Sequence, residues 1–268
     1  MRKLISIFAV AALLAAAPAT AWAAAAGSAK GVKQDAAAAL EGQTRTLVVG
    51  SDIFIGDEIN TDAKGQVQVL FADNTKLVVG PNSSLKIDDY LLRNNGDPGK
   101  FVVDMLSGSF RFATGNGPKS SYQINTPTGT IGVRGTHFEV WVFPDTGFAR
   151  ILRDDGTVLY KALGEKEWNV LDDTCEVGEI GDGQSQLLGD ARDSTGQERA
   201  DYKHEFRYAD NQSPLLRAFW FIESFECLHK APNVPSFPTN PNFQSKAPPP
   251  EQPTIYTKWV IRAFGPKP

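Results

Sequence analysis

From about Arg45 to Val170 the chain repeats one short theme: a run in which polar and apolar residues alternate, followed by a turn signal. Gln66-Val67-Gln68-Val69-Leu70-Phe71 begins with this alternation. Ala72-Asp73-Asn74 turns the chain and Thr75-Lys76-Leu77-Val78-Val79 returns. Gly80-Pro81-Asn82 turns it again before Ser84-Leu85-Lys86-Ile87-Asp88. Successive side chains of a strand point to opposite faces, so a period of two means a sheet with one face packed on a core. Further runs at Thr46–Val49, Asp52–Ile55, Phe101–Met105, Ser109–Phe112, Tyr122–Asn125, Gly129–Val133, Thr136–Val142, Phe148–Leu152 and Val158–Leu163 continue the series. Asp154-Asp155-Gly156 reads as a hairpin between the last two. The total is roughly ten to twelve strands. No long helical pattern interrupts them, which argues strongly against a parallel α/β sheet. The expected fold class is all-β: an antiparallel β-sandwich or jelly-roll-like domain over residues 43–170.

Several turn positions read as structural. In Gly80-Pro81-Asn82, Gly and Asn tolerate positive φ. At Thr126-Pro127 the ring of Pro127 sets φ and removes a donor, ending a strand before Gly129 opens the next. Gly135 lies between two apolar strands and suits a bulge or a close backbone approach. Beside it, Arg134 and Thr136 are the possible partner-binding residues. Alternation places Arg134 on the solvent side, where it either pairs with a nearby carboxylate or contacts a partner.

The ends differ from the middle. Arg2 and Lys3, the apolar run Leu4–Leu14, Pro18 and Ala21-Trp22-Ala23 have the form of a secretory signal peptide over residues 1–23. Its apolar core, about a dozen residues, is short of the ~20 that cross a bilayer. The expected location is therefore periplasmic or secreted, with no membrane span after cleavage. Residues 24–42 form an Ala-rich leader, flexible or briefly helical, with little expected core contribution. Residues 171–230 form a loop and helical extension. Charges fall at helical spacing over Gln197–Tyr208, and a second helix is expected over Pro214–Cys227, with Leu215, Phe219 and Ile222 near one face. Residues 231–268 form a Pro-rich tail, polyproline-like with one last strand expected at Thr254–Phe264.

Two cysteines, Cys175 and Cys227, make an even pair, which in an exported chain favours a disulfide; two buried free thiols are the alternative. Such a bridge closes a loop of about 50 residues, worth ~4 kcal/mol in the chain-entropy model.

Function classes narrow by what is missing. Without Arg2 and Lys3, 25 basic residues face 31 acidic ones, a formal charge of −6, so nucleic acid is a poor partner. His137, His204 and His229 are dispersed without metal-ligand spacing, and no cofactor is expected. Neither a Gly-x-Ser-x-Gly elbow nor a Gly-rich phosphate loop occurs. The adjacent pairs Asp88-Asp89 and Asp172-Asp173 would point to opposite faces of a strand and make no acid/base dyad. Trp141, Phe143, Tyr160 and Trp168 are core residues or, alternatively, a stacking platform for glycans.

Three stretches resemble the FecR-type (ferric-citrate regulator-like) domain, a periplasmic module of bacterial signalling proteins. The first runs from Val49-Gly50-Ser51 through Ile55-Gly56-Asp57 and Thr61 to the strand Gln66–Phe71. The second, Phe71 to Leu85, is similar to the family's aspartate-glycine-serine, strand, glycine-proline-asparagine-serine hairpin, with Asn74 in place of the usual Gly. The third is Leu106–Arg111 followed by Ile124–Phe138. A signal peptide replaces the anti-sigma segment and membrane helix of better-known members, and the Pro-rich end does not resemble their C-terminal domain. The resemblance implies an exported, non-enzymatic binding module for an envelope protein, in signalling or assembly. The alternative is a polysaccharide-binding or structural envelope protein with a surface glycan as partner.

Overall fold

The computed structural model describes residues 25–92 and 98–229. The expected signal peptide, the Pro-rich tail and the strand at Thr254–Phe264 lie outside the described residues. Fifteen strands form one hydrogen-bonded sheet: β1 (Gly27–Lys33), β2 (Ala36–Leu40), β3 (Gln43–Thr46), β4 (Asp52–Ile53), β5 (Glu58–Thr61), β6 (Gln66–Phe71), β7 (Lys76–Val79), β8 (Ser84–Leu92), β9 (Pro98–Ala113), β10 (Tyr122–Thr126), β11 (Gly129–Val142), β12 (Ala149–Ala162), β13 (Asn169–Leu171), β14 (Glu176–Gly181) and β15 (Gln184–Asp190). Short helices follow: α1 (Gly196–Glu205), α2 (Arg207–Asp210) and α3 (Ile222–Leu228). The all-β class holds, with the helices confined to the C-terminal side.

The sheet doubles over because three long strands bend and serve both layers. Pairings place β4-β1-β6-β7 beside the C-terminal halves of β9 and β11, followed by the N-terminal half of β12, β14 and β15. This is layer one. Layer two runs β3-β2-β5-β8, the N-terminal half of β9, β10, the N-terminal half of β11, the C-terminal half of β12, and β13. Strands that switch sheets do so at bulges or bends. In β11 and β12 the register shifts between Arg134 and Phe138, where Gly135 has φ 66° and Gly156 has φ 80°. The two glycines meet across the ladder. A Cβ on Gly156 would collide with the carbonyl oxygen of Gly135 and lie 2.7 Å from Thr136 Cα.

Two expectations are corrected here. Asp154-Asp155-Gly156 is not a hairpin but a bulge inside the single strand β12, since both structures need positive φ at that glycine. Nor is every pairing antiparallel: β9 and β10 are parallel, because the chain crosses over through a 3-10 turn at Lys119–Ser121 instead of doubling straight back.

Between the layers lies an aromatic chain. Ring centroids of Phe71 and Phe101 are 4.9 Å apart, those of Phe101 and Phe112 5.5 Å, and those of Phe112 and Phe138 5.4 Å. One buried carboxylate closes its end. Asp73 accepts from the Thr75 hydroxyl at 2.6 Å and the Tyr122 hydroxyl at 2.7 Å, while Asn74 takes φ 68°. Burial raises Tyr122 to about 12.

The Ala-rich leader is also corrected. It forms β1 and β2, with Ala26, Ala29, Ala36 and Ala38 in the core. Small side chains suit the close approach there: a Cβ on Gly27 would lie 2.7 Å from the Leu70 carbonyl oxygen. Strand structure also runs past Val170, through β13 to β15. The helix expected over Pro214–Cys227 is broken. A 3-10 turn at Arg217–Phe219 precedes α3, because Gln212 holds both backbone groups of Phe221, accepting from its N–H at 2.7 Å and donating to its carbonyl at 2.5 Å.

Candidate functional site

Alternation sets two kinds of residue on layer one. Phe110, Phe112, Phe138, Val140 and Ile151 point inward to the core. Arg111, Glu139, Arg150, Leu152 and Asp154 occupy the intervening positions and point outward. On a bare sandwich that outer face would be wet. Here residues 191–229 lie over it as a cap, and Arg111 and Glu139 are each only 1% exposed.

The pair sits at the centre of a buried network. Arg111 Nη2 donates to Glu139 Oε1 at 2.6 Å, and Nε donates to the same oxygen at 3.2 Å. The remaining guanidinium donors go to the cap: to Gln212 Oε1 at 2.9 Å, the Phe219 carbonyl at 3.4 Å and the Ser224 hydroxyl. Phe221 packs over the guanidinium, 5.0 Å from its ring centroid. The second oxygen of Glu139 accepts the Tyr208 N–H at 3.1 Å. Burial pushes Glu139 up, and Arg111 opposes it. A charge pair removed from water needs this degree of satisfaction to be tolerated.

Around the pair, two further groups are unsatisfied. Both carboxyl oxygens of Asp154 are buried without a partner among the described residues, and so is His137 Nδ1. Burial holds Asp154 well above the usual carboxylate range, opposed by Arg111 and reinforced by Glu139. The His137 ring stacks on Phe221 with centroids 4.1 Å apart, and burial lowers its pKa. These groups are an acid and an imidazole, the acid buried and the imidazole half-buried against Phe221.

The cap is held at three places. Leu152 and Val177 of the sheet pack with Ala191, Tyr202, Phe206, Ala209 and Leu228 as a second apolar cluster. Arg150 bridges Glu179 of β14 and Glu205 of α1, each at 2.7 Å. Cys175 and Cys227 are bonded with Cα atoms 5.1 Å apart, joining the residue before β14 to α3. In the described residues, no helix is long and apolar enough to cross a membrane.

The residues singled out from the sequence fall in different places. Arg134 is exposed on the bulge opposite Thr157 and makes no ion pair among the described residues. Thr136 is buried, which corrects its reading as a partner contact: its hydroxyl donates to the Asp155 carbonyl, and its N–H to the Thr114 hydroxyl at 3.1 Å. Gly80, Pro81 and Asn82 turn the chain between β7 and β8, with Asn82 at φ 51°. Pro127 lies against Gly147, and Gly129 lies where a Cβ would strike the Lys161 carbonyl oxygen. Of the four aromatics, Trp141 and Phe143 are neighbours with centroids 6.2 Å apart. Tyr160 is in the core, Trp141 packs against His204 at 5.3 Å, and Trp168 lies under Lys161 at 4.8 Å. Sequence reading missed Arg111, Glu139 and their cap partners. Ser109-Phe110-Arg111-Phe112 alternates, but alternation alone assigns Arg111 to solvent.

The family model described as FecR protein matches residues 57–158. No curated protein matches the chain. Two solved structures, each described as a "putative anti-sigma factor" from Parabacteroides distasonis, are similar at 14% and 17% identity, with TM-scores of 0.41 and 0.40. Each match covers 50% of this chain and spans 59% of the solved chain's length. The FecR match begins just before β5 and ends within β12, so the cap lies outside it. The resemblance to the FecR family model is thus confined to residues 57–158 of the sandwich.

Proposed function

We propose that this protein is an exported, non-enzymatic regulatory module that acts by binding another envelope protein. The folded unit of this reading is the FecR-bearing sandwich together with its cap, following a signal peptide over residues 1–23. The observation that carries it is the open edge of layer one. β15 has no partner on its outer side among the described residues, and its Leu187 and Leu188 are 52% and 36% exposed. An unpaired strand edge offers backbone donors and acceptors to an incoming strand, while side chains beside it give selectivity. Arg134, exposed and unpaired on the bulge, is the charged contact of the same reading.

Site-specific photocrosslinking in the periplasm tests it. A crosslinker at Leu187 should trap one protein species, and one at the exposed Lys30 should not. Leu188→Lys should abolish the adduct while leaving the melting curve unchanged. Equal adducts from both positions, or none from Leu187, would remove the edge as the docking surface. N-terminal sequencing of periplasmic protein tests export separately, since material still starting at Met1 contradicts it.

A further inference from the structure

At the seam between cap and sandwich lies a cavity of about 300 Å³ that opens to solvent. Lys33 at the end of β1 and Lys64 in the turn before β6 contribute one wall; Lys203 of α1 and Arg207 of α2 contribute the other. Its lining includes two buried polar side chains, Gln66 and Tyr208, joined by a hydrogen bond from the Tyr208 hydroxyl to Gln66 Oε1 at 3.1 Å. One carboxylate lines the site, Asp210, and it is already engaged by Lys203 at 2.9 Å and His229 at 3.5 Å. The walls therefore carry an excess of positive charge in a chain whose net charge is −4.

Arg207 is the informative residue. Its guanidinium makes no ion pair or hydrogen bond among the described residues, and its Nε is buried without an acceptor. One N–H of this half-buried cation is thus withdrawn from water without an acceptor, which is costly, and such groups are usually paired. We propose that this cavity binds a small oxyanion, inorganic phosphate or a phosphate monoester, between Arg207, Lys33 and Lys64. Guanidinium forks take phosphate oxygens in pairs, and ammonium groups add point charges. The volume lies at the small end of ligand pockets, roughly 300–1,000 Å³, which suits a small ligand rather than a polymer. Because the wall groups come from both cap and sandwich, a bound oxyanion ties the two together. Binding that favours the folded, capped form makes the melting temperature rise with ligand concentration.

The purified exported protein is titrated with inorganic phosphate, glucose 6-phosphate, glucose, and vesicles of phosphatidylglycerol, at ionic strength matched with sodium chloride. Calorimetry and thermal unfolding are the readouts. Both soluble phosphates should bind and raise the melting temperature; glucose and the vesicles should do neither. Each charged hydrogen bond is worth about 1.5–3 kcal/mol, so Arg207→Gln should weaken binding by roughly tenfold or more. Lys64→Gln alters an exposed residue and keeps the test readable if the Arg207 variant fails to fold; it should also weaken binding. A stabilisation that survives both substitutions is a general salt effect and overturns the site. Capture by vesicles without binding of the soluble phosphates overturns it in favour of a lipid headgroup, and absence of any binding overturns it outright.

Discussion

On the inner face of layer one, Phe110, Phe112, Phe138 and Val140 are buried against layer two. One residue along the same strands, Arg111 and Glu139 are buried equally deeply against the cap. The inner face is stabilised by removing apolar area from water, at about 25 cal/mol per Å², a force without direction. The outer face gains little that way. It depends on Gln212, Ser224, Phe219 and Tyr208 arriving at particular donors and acceptors of one ion pair. An apolar face accepts many partners of suitable shape, whereas a buried charge pair accepts one register. The outer face thus specifies where the cap sits, and the inner face supplies most of the energy that holds the sandwich.

The largest expected effect tests that contrast directly. Arg111→Met leaves Glu139 buried and unpaired and should cost about 3–5 kcal/mol in chemical denaturation. Phe112→Ala on the inner face should cost a similar ~3–5 kcal/mol through its cavity. The two differ in rescue: adding Glu139→Leu to Arg111→Met should recover most of the loss, because an apolar pair can replace a buried ionic one. If the double variant is no better than the single, the outer face is not an electrostatic register.

Next is the Cys175–Cys227 bond. Mass spectrometry of non-reduced digests should find the two peptides linked. Cys227→Ser should lower stability by up to about 4 kcal/mol. Hydrogen exchange should quicken first in α1 to α3 while β9 and β11 stay protected. A uniform rise across both would mean that cap and sandwich unfold as one unit.

The bulge joining the layers comes third. At Gly135, φ 66° penalises any Cβ by roughly 1–2 kcal/mol, so Gly135→Val should lower stability by that order. Gly156→Ala should cost more, since its Cβ also meets the backbone of the facing strand.

A smaller effect is set by pH. Asp154 is raised from an ordinary value of 3.8, first by burial. Between that value and its folded one, the folded state binds more protons than the unfolded state. Stability should therefore fall as pH rises from about 4 through the folded value. His137 is lowered by burial and acts in the opposite sense, losing stability as pH falls through 6.5. Asp154→Asn should remove only the first dependence, so the difference between wild-type and variant denaturation should grow towards alkaline pH. A constant difference would mean that Asp154 stays charged in the fold. Smallest of all, Arg134→Ala should cost about 0–1 kcal/mol. A large loss would place its side chain in a structural network and not on a docking surface.

Much of the sandwich was legible because its signals are local. Alternation in Gln66–Phe71 needs no knowledge of what lies across the sheet, and Asn74 and Asn82 announce turns through their tolerance of positive φ. Local signals also account for the errors. Gly156 supplies the same backbone freedom to a hairpin and to a bulge, and only the pairing of β12 with β11 along its whole length decides between them. The alanines of β1 and β2 carry little hydrophobic drive of their own. They become core because β6 and β5 lie alongside.

Spacing along one chain was enough for the all-β class, the turns at Asn74 and Asn82, the alternation of strands such as Gln66–Phe71 and the resemblance to the FecR domain. Whether the opposite face of a strand meets water or another element is not written in a period of two. The burial of Arg111 and Glu139 is a tertiary effect, because the groups that meet them lie 69 to 113 positions further along, in a cap whose own sequence reads as polar and irregular.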